Sequence, residues 1–450
     1  MKALSARAAM VLLARVLLAS RVVASRLPAV MLLGPVLLGA MLLGSARLTS
    51  PCQAGEPPRG PPAPWPRHAV DDSSRGADGV RLADVDKDGL PDIVTGWEEG
   101  GTVRVCFHPG PRTVKARWPS VTAGKAPSVE DAVPVDLDGD GFLDVVSSCE
   151  GSTRTIFFHW APAAKGDLRR DAAWKTESLP VSRDLMAWMF CAPADVDGKS
   201  GIDLVAGGKG KGAAVGWLES PPDPRDLAAW KWHPLRDAGW VMSIHWVDLD
   251  GDRDGDVVLS DRKGARSGCF WLENPGREGI GTAAWREHLI GGSGMECMFL
   301  SLVDLGGKAG LEGLAAVKPR EVLCFRRPGA PASASGATSW EARSFTLPSS
   351  AGTSKAVSAG DLDLDGKPDL VVTCEGAGGD RPGVLWLPGE DAAQLRLAPA
   401  RDLSGPPGAK YDLVELLDLD GDKDLDVLTC EEQDNLGVIW YENPTLAPRQ

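Results

Sequence analysis

The chain has 450 residues, with 62 acidic against 48 basic side chains and a formal net charge of −14. That balance argues against nucleic acid or an anionic membrane surface as a partner. Its nine cysteines form no CxxC pair and no metal-ligand spacing, and most fall in apolar runs where Cys acts as a small hydrophobe.

Residues 1–54 differ from the rest. They carry Lys2, Arg7, Arg15, Arg21, Arg26 and Arg47, no acidic residue, and an apolar run from Leu27 to Gly44. A basic start, an apolar centre and small residues near Ala46 or Ala54 predict an export signal or processed leader, and so a secreted, periplasmic or cell-surface protein. A membrane anchor is the rival reading. The run is short of the roughly 20 residues needed to span and is broken by Gly34, Pro35 and Gly39. Without the leader's six positive charges the net charge moves from −14 to −20. Residues 55–64 read as a Pro/Gly-rich linker, 65–444 as the folded domain and 445–450 as a C-terminal tail.

From residue 84 onward one acidic cassette recurs seven times. Two intact copies are Asp84-Val-Asp86-Lys-Asp88-Gly89-Leu90-Pro-Asp92 and Asp136-Leu-Asp138-Gly-Asp140-Gly141-Phe142-Leu-Asp144, and the others begin at Asp195, Asp248, Asp304, Asp361 and Asp418. Successive starts lie 52, 59, 53, 56, 57 and 57 residues apart. This period accommodates one four-stranded propeller blade, so seven copies predict an all-β, seven-bladed propeller. Carboxylates at cassette positions 1, 3, 5 and 9 converge when the chain turns at position 6, where Gly permits positive φ. Such hard oxygen donors, with no Cys or His among them, suit Ca²⁺.

Each repeat spells four strands. One enters the cassette (Ile244-His-Trp-Val247) and one leaves it (Asp256-Val-Val-Leu259). A third carries an aromatic residue (Phe270-Trp-Leu272, Val438-Ile-Trp-Tyr441), and the fourth is announced by Trp174, Trp230, Trp285 or Trp340. After the seventh cassette only two more strands fit. The missing strand is predicted at the other end of the domain, because Trp65-Pro-Arg-His68 mirrors Trp230-Lys-Trp-His233 and Trp285-Arg-Glu-His288. Pairing it with the last blade removes two open edges, and Pro66 is tolerable in an outermost strand. His68, His233 and His288 share one repeat position and read as structural.

Cassette, period and count resemble the FG-GAP or VCBS-type calcium-loop propellers, the repeat class also found in the integrin α-subunit head; the resemblance covers roughly residues 65–444. It implies Ca²⁺ held by the side chains at positions 1, 3, 5 and 9 and the backbone oxygen of position 7. The ligands become Asp84, Asp86, Asp88, Leu90 and Asp92 in blade one, and Asp136, Asp138, Asp140, Phe142 and Asp144 in blade two. Blade four uses Asp248, Asp250, Asp252, Asp254 and Asp256. Blade six uses Asp361, Asp363, Asp365, Lys367 and Asp369, and blade seven Asp418, Asp420, Asp422, Asp424 and Asp426. About five sites are expected. Lys199 in blade three and Lys308 in blade five stand at position 5, where an ammonium replaces a ligand. Blade five, which also has Gly306 and Glu312 in its cassette, is expected to be metal-free and blade three weak or empty.

Six residues beyond each cassette stand, in blade order, Glu98, Glu150, Lys209, Arg262, Lys318, Glu375 and Glu432. At about 3.3 Å per strand residue this ring lies about 20 Å from the cassettes. Because the ring closes, the four glutamates form one arc and the three cations the other. Six residues before the cassettes stand Asp78, Glu130, Met189, Met242, Met298, Lys355 and Asp412, with methionine only in the three blades of the cationic arc. Together they predict a face with an acidic half and a half combining Met with cations, fit for a saccharide or peptide. The favoured reading is an exported, monomeric binding or scaffold module for an extracellular or periplasmic saccharide or protein, with no membrane insertion of the domain. The alternative is a carbohydrate-active enzyme of polysaccharide lyase or sugar dehydratase type, which some propellers resembling this one are. It would use those glutamates for acid/base work and the cations for oxyanion stabilisation. No GxSxG or HExxH signature supports catalysis.

Overall fold

Strand Asp92–Trp97 shows why these repeats become sheets: after Asp92, β-branched and apolar residues fill it and all six of its residues are buried. A strand reads this way when sheets cover both its faces. In a propeller the second strand of a blade has a neighbouring blade above and below. The outermost strand instead meets solvent, as the largely exposed Glu341–Thr346 illustrates.

The computed structural model describes residues 64–199, 201–305, 310–327, 340–391 and 396–446. The leader 1–54, nearly all of the linker, the end of the tail, and Gly306 and Lys308 of the fifth cassette lie outside the described residues. Among the described residues no helix is long and apolar enough to cross a membrane, and the eight cysteines are buried and free of disulfides.

Seven four-stranded antiparallel sheets follow one another, each running from the channel outward. Blade one is Ala77–Ala83, Asp92–Trp97, Thr102–Cys106 and Ser120–Lys125. The remaining blades begin at Val129–Val135, Ala187–Ala194, Val241–Val247, Cys297–Val303, Thr353–Gly360 and Tyr411–Leu417. Blade six adds a two-stranded hairpin, Gly389–Asp391 with Arg396–Leu397. Blade seven takes its outermost strand, Arg67–Asp71, from the far end of the domain. That strand pairs with Gly437–Tyr441 in the register Arg67↔Tyr441 and His68↔Trp440. The closing segment also touches the flanking blades. Trp65 N–H donates to Leu403 O at 2.9 Å in blade six, and Val70 O accepts from Trp118 N–H at 2.9 Å in blade one.

The shared histidine position is a packing device. His68, His233 and His288 lie on Trp440, Trp217 and Trp271 with ring centroids 4.6, 4.5 and 4.3 Å apart. Their Nε2 atoms meet Glu442, Glu219 and Glu273 at 2.9, 2.7 and 2.5 Å. Each His thereby clips the outermost strand to the third.

The ladder between innermost and second strands is interrupted in every blade. Register shifts fall between Asp78/Arg81, Val129/Asp131, Trp188/Phe190, Val241/Ser243, Cys297/Leu300, Ser354/Ala356 and Tyr411/Val414. The residue six before each cassette sits in this bulge or, for Asp78, at its edge. Bulges turn a side chain away from ladder spacing, here at the channel end opposite the cassettes.

Candidate functional site

The molecule offers two polar ends. At the first, the described cassettes of blades one to four, six and seven fold back on themselves through backbone N–H groups caught by their own aspartates. Asp84 accepts from Asp88 and Gly89 (2.9 and 3.0 Å), and Asp361 from Asp365 and Gly366 (3.0 and 2.9 Å). Position 6 needs a left-handed conformation: Gly89, Gly141 and Gly366 have φ of 89°, 91° and 83°. Blades four and seven place Arg253 and Lys423 there with φ of 82° and 81°, a strained choice for residues with a Cβ.

Position 9 has a fixed task. In the six blades whose position 9 is described with its partners, one oxygen accepts the N–H of position 2 and the other accepts an N–H just past the third strand. For Asp256 these donors are Leu249 at 3.0 Å and Asn274 at 2.9 Å, and for Asp92 they are Val85 at 2.9 Å and His108 at 2.8 Å. Asp144, Asp203, Asp369 and Asp426 repeat the pattern. Burial raises these carboxyls, to about 6 for Asp92 and about 8 for Asp426, although the N–H donors pull the other way.

The first seven positions retain ligand capacity that the protein leaves unused. Asp86 Oδ1, Asp136 Oδ1, Asp363 Oδ1 and Asp424 Oδ1 are buried without a hydrogen-bond partner. In blade one an oxygen from each of Asp84, Asp86 and Asp92, and in blade two one from each of Asp136, Asp138 and Asp140, lie within 4.8 Å of one another. All-oxygen sets with orphaned buried acceptors fit a hard cation. Blade three differs as its sequence indicates: Lys199 Nζ pairs with Asp197 at 2.7 Å, yet Asp195, Asp197 and Asp203 still converge.

A feature unread in the sequence crosses between blades at this end. A cation from the loop after the third strand of one blade reaches the cassette of the blade before it. Arg169 meets Asp86 at 2.7 Å, Arg225 meets Asp138 at 2.8 Å, Lys115 meets Asp420 at 3.4 Å and Arg277 meets Asp195 at 3.6 Å. Their variable loop lengths hide them from a repeat alignment by eye.

At the opposite end the predicted charged ring comes together, mostly as inter-blade ion pairs. Lys209 reaches Glu130 at 3.1 Å and also Glu150. Lys318 pairs with Glu375, and Lys410, from a position the sequence reading did not single out, pairs with Glu432. Lys355 lies 3.1 Å from Asp412 and 3.7 Å from Glu375. Arg262 turns to Glu296 at 3.0 Å rather than to another ring position. Lys209, Arg262 and Lys263 all stand over the Trp240 ring, 4.5, 4.5 and 4.8 Å from its centroid. Trp240 itself, one residue before the fourth innermost strand, also escaped the sequence reading.

One expectation is corrected. Met189, Met242 and Met298 are buried in the hydrophobic core, so they pack blades three to five together and do not face a ligand. An apolar side chain at the bulge joins the core, whereas Glu130, Lys355 and Asp412 at the same position are held in ion pairs.

Asp78, Glu98, Glu130, Asp412 and Glu432, from blades seven, one and two, form the acidic half. Burial, reinforced by Asp412 and Glu130, drives the Asp78 carboxyl well above its usual range. Burial likewise raises Asp412, but Lys355 and a hydrogen bond from Asp78 bring it below the ordinary value. Glu130 is raised to about 8, by burial first and despite Lys209, and Glu98 is raised by burial and Glu432.

Residues 84–147 match the FG-GAP-like repeat family. No curated protein matches the sequence. Among solved structures, the β-propeller domain of Cps50 (Swd1) from Myceliophteria thermophila aligns with a TM-score of 0.52 at 11% identity, covering 84% of this chain and 100% of that one. BBS1N, in a complex with ARL6DN soaked with mercury, gives 0.46 at 13% identity, covering 86% and 98%. A structure described as an Agrocybe aegerita lectin recognising non-reducing terminal N-acetylglucosamine gives 0.36 at 17%, covering 60% and 66%. The chain is a seven-bladed β-propeller with a match to the FG-GAP-like repeat across residues 84–147.

Proposed function

We propose that this propeller is an exported binding module that holds a polar ligand, a saccharide or a peptide, at the opening opposite its cassettes. Ca²⁺ in the cassettes of blades one, two, four, six and seven stabilises the turns between strands. The observation that carries the reading is the bulge repeated in all seven innermost strands. It costs ladder hydrogen bonds in every blade, and at the same level Glu98, Glu150, Lys209, Arg262, Lys318, Glu375 and Glu432 gather around one opening. Metal bound only by the folded chain adds stability by mass action, which suits an exported domain with such an excess of carboxylate.

The test is a saccharide and peptide array probed with the mature protein and with the Glu150→Lys and Arg262→Glu variants. Both residues lie beyond the cassettes, so the blades should stay folded. Loss of a hit in either variant supports the reading. Identical profiles for all three proteins would overturn it.

Glu130, raised to about 8 by burial despite Lys209 at 3.1 Å, favours a second reading in which the opening performs acid/base chemistry on a sugar. Mass change of an array ligand separates the two, because a binding module returns its ligand unaltered.

A further inference from the structure

Asp78 is the shared member of two carboxylate triads at the opening. One oxygen from each of Asp78, Glu98 and Glu130 lies within 4.8 Å of the other two, and the same holds for Asp78, Asp412 and Glu432. The lysines nearby are already engaged. Lys209 serves Glu130 and Glu150, Lys355 serves Asp412 and Glu375, and Lys410 serves Glu432. Among the described residues Asp78 and Glu98 make no direct ion pair, Lys355 and Lys410 act on Asp78 from beyond contact distance, and the hydrogen bond of the Asp78 carboxyl is with another acid, Asp412. Asp78 is only 7% exposed, and Asp412, 1% exposed, has one oxygen enclosed with no hydrogen-bond partner.

Carboxyls so close and so buried need something positive between them. A single proton satisfies one pair of oxygens and leaves the rest facing one another. A divalent ion satisfies several at once. Two oxygens bound to one ion at about 2.3–2.6 Å can be at most about 5 Å apart, and the observed spacing falls within that limit. The donors are all hard oxygens without Cys or His, which selects Ca²⁺, Mg²⁺ or Mn²⁺ over softer metals.

We infer that the opening holds a divalent-cation site formed by Asp78, Glu98 and Glu130, whose oxygens lie within 4.8 Å of one another, with Asp412 and Glu432 at its edge. This inference rests on the opening being the ligand-binding face, and it adds a means of recognition. An ion there leaves coordination positions toward the channel for hydroxyl or carboxylate oxygens of a ligand. It is separate from the cassettes, which lie at the other end of the strands.

The experiment counts bound Ca²⁺ and Mn²⁺ by equilibrium dialysis and elemental analysis on the mature full-length protein. It compares wild type with the Asp78→Asn/Glu98→Gln double variant, the cassette variant Asp140→Ala, and all three changes together. The double variant should lose one equivalent and keep its melting transition, and the triple variant should lose that equivalent in addition to the cassette loss. Should the double variant fail to fold, Glu98→Gln alone serves, since Glu98 is half-buried and unpaired. It should weaken one class of site at least tenfold. An unchanged count and affinity in these folded variants would overturn the inference. So would array hits on ammonium-bearing peptides that vanish in the double variant while its metal count equals wild type, which would keep the binding reading and replace the ion by an organic cation. Metal loss without any array hit would instead uphold the site and sink the proposed ligand reading.

Discussion

Changing one atom of Asp256 separates the structural role of a cassette from its metal role. In Asp256→Asn one oxygen still accepts an N–H, but the other becomes an NH₂ group facing a second donor. Either Leu249 N–H, now 3.0 Å from its acceptor, or Asn274 N–H, now 2.9 Å, loses its partner. Asp256 is fully buried, so water cannot replace the lost acceptor, and the cost should be about 1–3 kcal/mol. Asp256→Ala removes both acceptors and should cost about twice as much by the same rule. The assay is urea unfolding followed by tryptophan fluorescence, in excess chelator and again in Ca²⁺. With chelator present, any loss belongs to the hydrogen bonds alone. A midpoint for Asp256→Asn indistinguishable from wild type in chelator would refute the clamp and leave metal ligation as the reason for the residue.

Trp65→Ala removes a buried indole that packs 5.9 Å from Trp386 and anchors the closing strand. It should cost about 3–5 kcal/mol in the same urea assay, and a loss below 1 kcal/mol would count against closure by that segment. Excess chelator should lower the melting temperature of the wild type, and Asp140→Ala should shrink the gain on adding Ca²⁺ back; an unchanged melting temperature in chelator opposes a structural metal. His159 is buried between Ser147 and Thr176, each 2.9 Å away, and burial pushes its imidazole down to about 3. A depressed folded value means stability is complete above the unfolded value near 6.5 and is lost as pH falls. By pH 5 the loss should be about 2 kcal/mol. His159→Gln should remove that part of the slope between pH 7 and 5, and parallel slopes for variant and wild type would show that His159 does not supply it.

Most of the architecture was written plainly because one physical rule was repeated seven times. Cassettes fixed the blade count, alternating apolar runs marked the strands, and Trp65-Pro-Arg-His68 located the closing strand by its kinship with Trp230 and Trp285. Other features depend on tertiary placement. Asp92 and its equivalents read as ligands at position 9, yet they also join the cassette to the third strand, a contact 16 residues away for His108. The bulges left no sequence mark, since Asp78, Met189 and Lys355 share no residue type. Without the bulge the methionines could be aligned with the charged positions and taken for surface. Arg169 and Arg225 act on the neighbouring blade, so no single repeat reveals them. Trp240 lies just outside the strand pattern, and only the structure places three cations on it.

The two ends of the same strand pair show different chemistry because they answer different demands. At the cassette end the residue types repeat and so do their bonds: position 9 performs one task in blades one, two, three, four, six and seven, and inter-blade cations recur on the same side. Uniform chemistry at a repeated position is what a fold needs to hold its turns. At the opposite end the position repeats but the residue does not, passing from Asp to Glu to Met to Lys within one ring. A purely architectural requirement would select the same side chain in every blade, as it does for the aspartates. Variation held at constant geometry gives the opening an uneven charge, with Asp78, Glu98 and Asp412 on one side and the cations over Trp240 on the other. An uneven opening can orient an asymmetric ligand, and a symmetric one cannot.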